Sequence, residues 1–222
     1  MRTNNSKEQE EYLYIVLVRA LTGLGKLVRG ITRYEYTHIA ICLDESLTDF
    51  ITFSRRKHYA PFDAGFMHET RDCYAFGQQS RVKLKVFRIP VVAENMQRIR
   101  AYIDSVQEDE EYLFNLFSMV TMPVLHGFPI YKTHNCMSFT GKILELSNSV
   151  TMDSKYYRYS IRDIDLLLAD YFYKEKCVAR QGIETAGYME KVGTGKNIVM
   201  FFQLNGKLMA RLIKRNNIED KI

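Results

Sequence analysis

The sequence predicts an α+β fold, an antiparallel sheet packed against helices with a cysteine at one helix N-terminus. Three observations carry this. Residues 12–18, a β-branched and aromatic run, read as a buried strand. Residues 36–43 and 49–54 flank a polar turn at Asp44, Glu45 and Ser46, and read as a hairpin. Two later segments have helical spacing: Met96, Ile99, Ile103 and Val106 in one, and Met137, Thr140, Ile143, Leu144 and Ser147 in the other. Strands and one-sided helices on one chain bury their apolar faces against each other as helix-on-sheet layers.

Taken in order, residues 1–11 are polar and read as a flexible leader. Residues 21–31 place Leu21, Leu24, Leu27, Val28 and Ile31 on one side of a short helix, opposite Lys26 and Arg29. Period-two alternation in the second strand puts His38, Ala40 and Cys42 on one face and Ile39, Ile41 and Leu43 on the other. Residues 55–68 carry turn residues and a basic run, and read as a loop. Strands are expected over 69–75 and 81–89, with Pro90 leading into a helix over 93–106. An acidic linker over 107–111 precedes a helix over 112–122 and a loop over 123–134. Ser160 and Asp163 have the spacing of a capped helix start that buries Ile164, Leu167, Leu168 and Tyr171. In the tail, Asn205-Gly206 between residues 197–204 and 207–213 is a hairpin signal. The expected organisation is a leader (1–11), one domain (12–175) and a C-terminal extension with a β-hairpin (176–222).

Composition narrows the function classes. The chain has 222 residues, 46% hydrophobic and 26% charged, with a net charge of +5. It is long enough for a sizeable core. Its Lys and Arg residues are scattered among acids and form no long basic stripe, which argues against nucleic acid as a partner. Cys42, Cys73, Cys136 and Cys177 form no CxxC pair, so they read as reduced thiols in a cytosolic setting. The N-terminus lacks the order of a signal peptide, and the longest apolar run is too short to span a bilayer. A cytoplasmic location is therefore expected, with no transmembrane segment. The 21–31 helix and the Arg55-Arg56-Lys57-His58 run allow peripheral contact with a membrane surface. His126, His134 and Cys136 match no zinc spacing, so neither metal nor cofactor is expected.

The chemistry centres on Thr133-His134-Asn135-Cys136-Met137-Ser138-Phe139. A thiol in the first turn of a helix meets unpaired backbone N–H groups and the positive end of the helix dipole. Both favour thiolate, the nucleophilic form. The same N–H groups can hold an oxyanion. Such a thiol needs a base, and His38, at the start of a core strand, is the candidate. Each feature alone also fits a packing cysteine and a structural histidine.

Together, Tyr36-Thr37-His38-Ile39-Ala40-Ile41 and Asn135-Cys136-Met137-Ser138-Phe139 resemble the circularly permuted NlpC/P60 papain-like superfamily, in which the histidine strand precedes the cysteine helix. The likeness is nearest to amidase-like proteins of the YiiX/YaeF type and more distant to the lecithin retinol acyltransferase-like proteins. Residues 51–57, the loop at 61–66 and Glu69 also resemble the bacterial amidase-like proteins, and the likeness covers roughly residues 12–170. The resemblance implies Cys136 as nucleophile, His38 as general base, and a polar residue on the next strand, which offers Thr52 and Ser54, as the third member. Thr52 fills that place if Ala40 lies opposite it, since it then shares the His38 face; Glu69 is held in reserve. The implied function is a cysteine hydrolase cleaving an amide through an acyl-enzyme, on a peptide or small-molecule substrate. The alternatives are an acyl-lipid hydrolase or acyltransferase using the same residues, and a binding module that keeps the fold.

Overall fold

The computed structural model describes residues 10–20, 29–30, 33–75, 79–183 and 187–219. The leader up to residue 9 and most of the helix expected over 21–31 lie outside the described residues. Strands follow as β1 (Glu10–Val18), β2 (His38–Cys42), β3 (Phe50–Lys57), β4 (Ala60–Glu69), β5 (Arg81–Val92), β6 (Leu113–Phe114), β7 (Thr133–His134) and β8 (Phe172–Ala179). Helices are α1 (Ala93–Glu108), α2 (Leu116–Leu125), α3 (Cys136–Ser147), α4 (Ile161–Leu167) and α5 (Thr194–Glu219). Six strands form one antiparallel sheet in the order β4-β3-β2-β1-β5-β8, and β6 and β7 form a short parallel pair.

The apolar run at residues 12–18 becomes the central strand because both its faces are covered. Leu13, Ile15 and Leu17 join the core under the helices, with Ile39, Ile41, Phe53, Met96, Ile99, Phe139 and Ile143. Tyr14, Val16 and Val18 join a second core on the other face, with Ala40, Cys42, Phe50, Tyr74 and Val86. The alternation expected in β2 is thus realised, with Ile39 and Ile41 under the helices and Ala40 and Cys42 beneath the opposite layer. Ser160 caps α4 as its spacing predicts, accepting from Asp163 N–H at 3.2 Å.

Several segments differ from the sequence reading; β6 lies within a segment read as helix, and β8 forms where no strand is expected. Residues 60–69 form β4 rather than a loop. As an edge strand it tolerates Pro61, Asp63 and Gly65, because only one of its sides needs ladder bonds. The strand expected at 69–75 is instead a single 3-10 turn at Arg71–Cys73 after β4 ends. The tail forms α5, not a hairpin. Its repeat is 3.6 rather than 2: Asn197, Phe201, Leu204 and Leu208 share one side, and Asn205 Nδ2 donates to the Phe201 carbonyl one turn back (2.7 Å). Leu204 and Leu208 pack with Ile130 in a third apolar cluster. The boundary expected at residue 175 falls inside β8, which pairs with β5 and so joins the extension to the sheet.

Candidate active site

Cys136 is the first residue of α3, and a reciprocal cap fixes it there. Asn135 Oδ1 accepts from Ser138 N–H (2.9 Å), and Ser138 Oγ accepts from Asn135 N–H (3.0 Å). Phe139 N–H donates to the Asn135 carbonyl (3.0 Å). The cap thus uses the amides of Ser138 and Phe139 and leaves those of Cys136 and Met137 in the first turn. The Asn135 Nδ2 amide is buried and has no hydrogen-bond partner among the described residues. Gly141 lets α3 lie against the 3-10 turn at Tyr156–Arg158, where a Cβ would come within 2.3 Å of the Tyr156 carbonyl oxygen.

A histidine underpins the cap. His134 is buried, and burial, reinforced by the Lys142 charge, pulls its pKa down to about 3. Its ring is therefore neutral at ordinary pH. Tyr102 OH lies 2.7 Å from Nε2, and Nδ1 lies 3.3 Å from Ser138 Oγ, the oxygen that closes the capping box. The ring stacks parallel to Tyr112 at 5.8 Å. His134 is thus a structural support for the Cys136 turn. Among the described residues no cluster of three His, Cys, Asp or Glu side chains gathers to hold a metal.

His38 opens β2, and α3 packs across β2 and β3. The imidazole lies between Glu69 and Cys136. Nε2 lies 2.8 Å from Glu69 Oε2, and the Cys136 thiol is close enough to the ring to bias its titration. With Nε2 taken by the carboxylate, Nδ1 is the nitrogen left for sulfur. Cys136 is 7% exposed, Glu69 is 2% exposed and the His38 side chain is 13% exposed. Glu69 ends β4 and Tyr74 follows the 3-10 turn. Tyr74 OH donates to Glu69 Oε2 (2.7 Å), its ring lies 5.6 Å from the His38 ring, and Ser54 lies close enough to the carboxylate to lower its pKa. Glu69 and Tyr74 reach the imidazole from one layer and Cys136 from the other.

The electrostatics follow from this geometry. Burial alone would pull His38 down. The Glu69 charge, the Cys136 hydrogen bond and the Glu69 hydrogen bond outweigh it and push the ring up to about 10. Burial would likewise raise Glu69. The His38 charge and the hydrogen bonds from His38, Tyr74 and Ser54 hold it below the usual glutamate value. The pair is an imidazolium on a carboxylate.

Of the three residues expected at the site, Cys136 and His38 meet and Thr52 stands apart. The Ile41–Ile51 register does put Ala40 opposite Thr52, as expected. The Thr52 hydroxyl, however, is buried and donates to the Ile39 carbonyl (2.9 Å), so it is satisfied by its neighbouring strand and does not orient the imidazole. Glu69, the reserve candidate, takes that role. Tyr74 is not singled out in the sequence, whereas Ser54 is the second hydroxyl that the strand offers beside Thr52; a tyrosine five residues beyond a glutamate carries no motif, and only the turn after β4 brings the two together.

A cleft of about 340 Å³ lies beside Arg56, Phe66 and Tyr112 at the end of α1, and none of Cys136, His38 and Glu69 lines it. No helix among the described residues is long and apolar enough to cross a membrane. No protein-family model, no curated protein and no solved structure matches this chain.

Proposed function

We propose that the chain is a cysteine hydrolase that cleaves an amide bond through an acyl-enzyme, with Cys136 as nucleophile, His38 as acid–base and Glu69 as the group that orients the ring. The observation that carries this reading is the His38 imidazole bonded to a buried carboxylate and lying beside a thiol on a helix N-terminus. A packing cysteine needs no such partner, and a structural histidine needs no sulfur. The chain order, histidine on a strand ahead of cysteine on a helix, supports a permuted papain-like, NlpC/P60-type architecture for the domain.

The chemistry runs in two halves. The Cys136 sulfur, its proton on His38, attacks the carbonyl carbon. The amides of Cys136 and Met137 face the oxyanion as it forms. His38 gives its proton to the amine as the C–N bond breaks, leaving a thioester on Cys136. Water then attacks the thioester while His38 takes its proton. The carboxylic acid leaves and the thiol is restored. Glu69 keeps Nε2 occupied throughout, so that Nδ1 always faces the sulfur.

The test is competitive labelling with iodoacetamide at slightly acid pH, read by peptide mass. Cys136 is expected to label at least about tenfold faster than Cys42, Cys73 and Cys177, and His38→Ala and Glu69→Gln are expected to slow it. A panel of acyl amides should then leave an acyl mass on Cys136 that Cys136→Ala lacks. Equal, slow labelling of all four thiols would remove the enzyme and leave a binding module.

A further inference from the structure

α5 has two apolar sides, and packing uses only one. Inward, Leu204 and Leu208 meet Ile130, the Phe201 ring meets Phe62 at 4.9 Å, and Asn197 Nδ2 donates to the Tyr59 carbonyl (3.0 Å). Arg211 closes the contact by donating to the carbonyls of Tyr131 (2.9 Å), Lys132 (2.9 Å) and Glu111 (2.6 Å). Outward, Ile198, Val199, Phe202, Met209 and Ile213 form a second stripe open to solvent, with Phe202 67% exposed. At about 3.6 residues per turn these five fall within roughly a third of the circumference. Lys196, Lys207 and Lys214, also exposed, fall in a single row along its flank.

α2 carries exposed apolar residues of its own. Leu116 and Phe117 pack into the same cluster as Leu204 and Leu208, while Val120, Val124 and Leu125 stand in solvent, Val124 being 77% exposed. The charges are one-sided. Residues 112–131 contain no Asp, Glu, Lys or Arg, and residues 191–218 contain no Asp or Glu but carry Lys191, Lys196, Lys207, Arg211, Lys214 and Arg215. Exposed large apolar residues at this density mark an interaction site.

The charge pattern selects the occupant. A second copy would set one acid-free basic helix against another, and like charges across an interface oppose association. A nucleic acid would use the lysine row but has no use for the apolar stripe. An anionic bilayer uses both: apolar side chains enter the headgroup–acyl boundary while the lysines meet lipid phosphates. We propose that the outer face of α5 docks this protein onto the surface of an anionic phospholipid membrane. The inference is independent of the Cys136 chemistry.

The test uses the full chain, co-sedimented with phosphatidylcholine vesicles with and without phosphatidylglycerol, at low and high salt. Binding is expected only with phosphatidylglycerol and should weaken with salt. Lys196→Glu, Lys207→Glu and Lys214→Glu together should weaken it by well over tenfold, at about a fivefold loss for each lysine charge removed. The separate double variant Phe202→Ser, Ile213→Ser should weaken it by at least about tenfold. Far-UV circular dichroism and Cys136 labelling should match the parent in both variants, which separates a lost surface from a lost fold or a lost thiol site. Failure to bind either vesicle would overturn the proposal, as would full binding by the Phe202→Ser, Ile213→Ser variant. So would a concentration-dependent dimer that this variant dissociates.

Discussion

The neutrality of His134 has a measurable consequence. Its pKa is about 3 in the folded chain against 6.5 for the free side chain, because burial disfavours the charged ring. The unfolded chain therefore binds a proton more readily than the folded one. A group with a depressed folded pKa contributes stability above its unfolded pKa and loses it as pH falls. The cost is close to zero at pH 7, about 2 kcal/mol at pH 5 and about 3 kcal/mol at pH 4. It falls on the turn that presents Cys136, because the ring lies buried against Ser138 Oγ, which closes the cap. The assay is urea unfolding between pH 4 and 7 for the parent and for His134→Gln, whose amide can accept from Tyr102 and donate towards Ser138 but does not titrate. The variant is expected to be less stable than the parent at pH 7, with the difference shrinking or reversing by pH 4–5. Parallel stability profiles for the two proteins would refute the reasoning, since both share every other titrating group.

Three further outcomes follow from single contacts. Gly141→Ala should lower Tm by several degrees: the gain of about 1 kcal/mol in helix propensity is outweighed by a Cβ set 2.3 Å from the Tyr156 carbonyl oxygen, and a raised Tm would show that α3 can slide away from it. Arg211→Lys should speed amide hydrogen exchange in α5 by at least about tenfold, because a lysine ammonium cannot span the three carbonyls that the guanidinium joins; unchanged exchange would mean that the apolar cluster alone holds the helix. Tyr74→Phe removes one of the donors to Glu69 and should move the acid limb of Cys136 labelling up by about one pH unit, and a limb that stays in place would exclude Tyr74 as a positioning residue.

Much of the site was legible because it depends on local rules. Helical spacing after Asn135 set Cys136 on a helix N-terminus, and strand alternation set His38 at the head of β2. What failed depended on distant partners. Thr52 could be placed on the correct face, but whether its hydroxyl met the imidazole or a backbone carbonyl depended on side-chain reach that register does not determine. Glu69 stays in reserve in the sequence reading because β4 is not recognised there. With residues 61–66 taken as a loop, nothing tied the end of that segment to β3, although Phe50 pairs with Glu69 in the ladder. The tail misled for a related reason. Asn205-Gly206 is a turn signal only between strands that pair, and its flanking residues repeat as a helix with an inner face matched to Ile130.

The two buried histidines bound the pH range of the fold from opposite sides. His38 has a raised folded pKa, so its contribution is fully present below its unfolded value of 6.5 and is lost as pH rises towards about 10. Glu69 has a lowered pKa, so its contribution is present above 4.5 and is lost as pH falls further. The ion pair is thus fully favourable between about 4.5 and 6.5, whereas His134 favours pH above 6.5. Their sum places the stability maximum near neutrality. It also predicts that between pH 6.5 and 9 the parent loses stability faster than Glu69→Gln, because without the carboxylate the largest hold on the His38 proton is gone. Urea midpoints across that range measure the two slopes, and equal slopes would mean that His38 carries no proton in the folded state and that the imidazolium–carboxylate description is wrong.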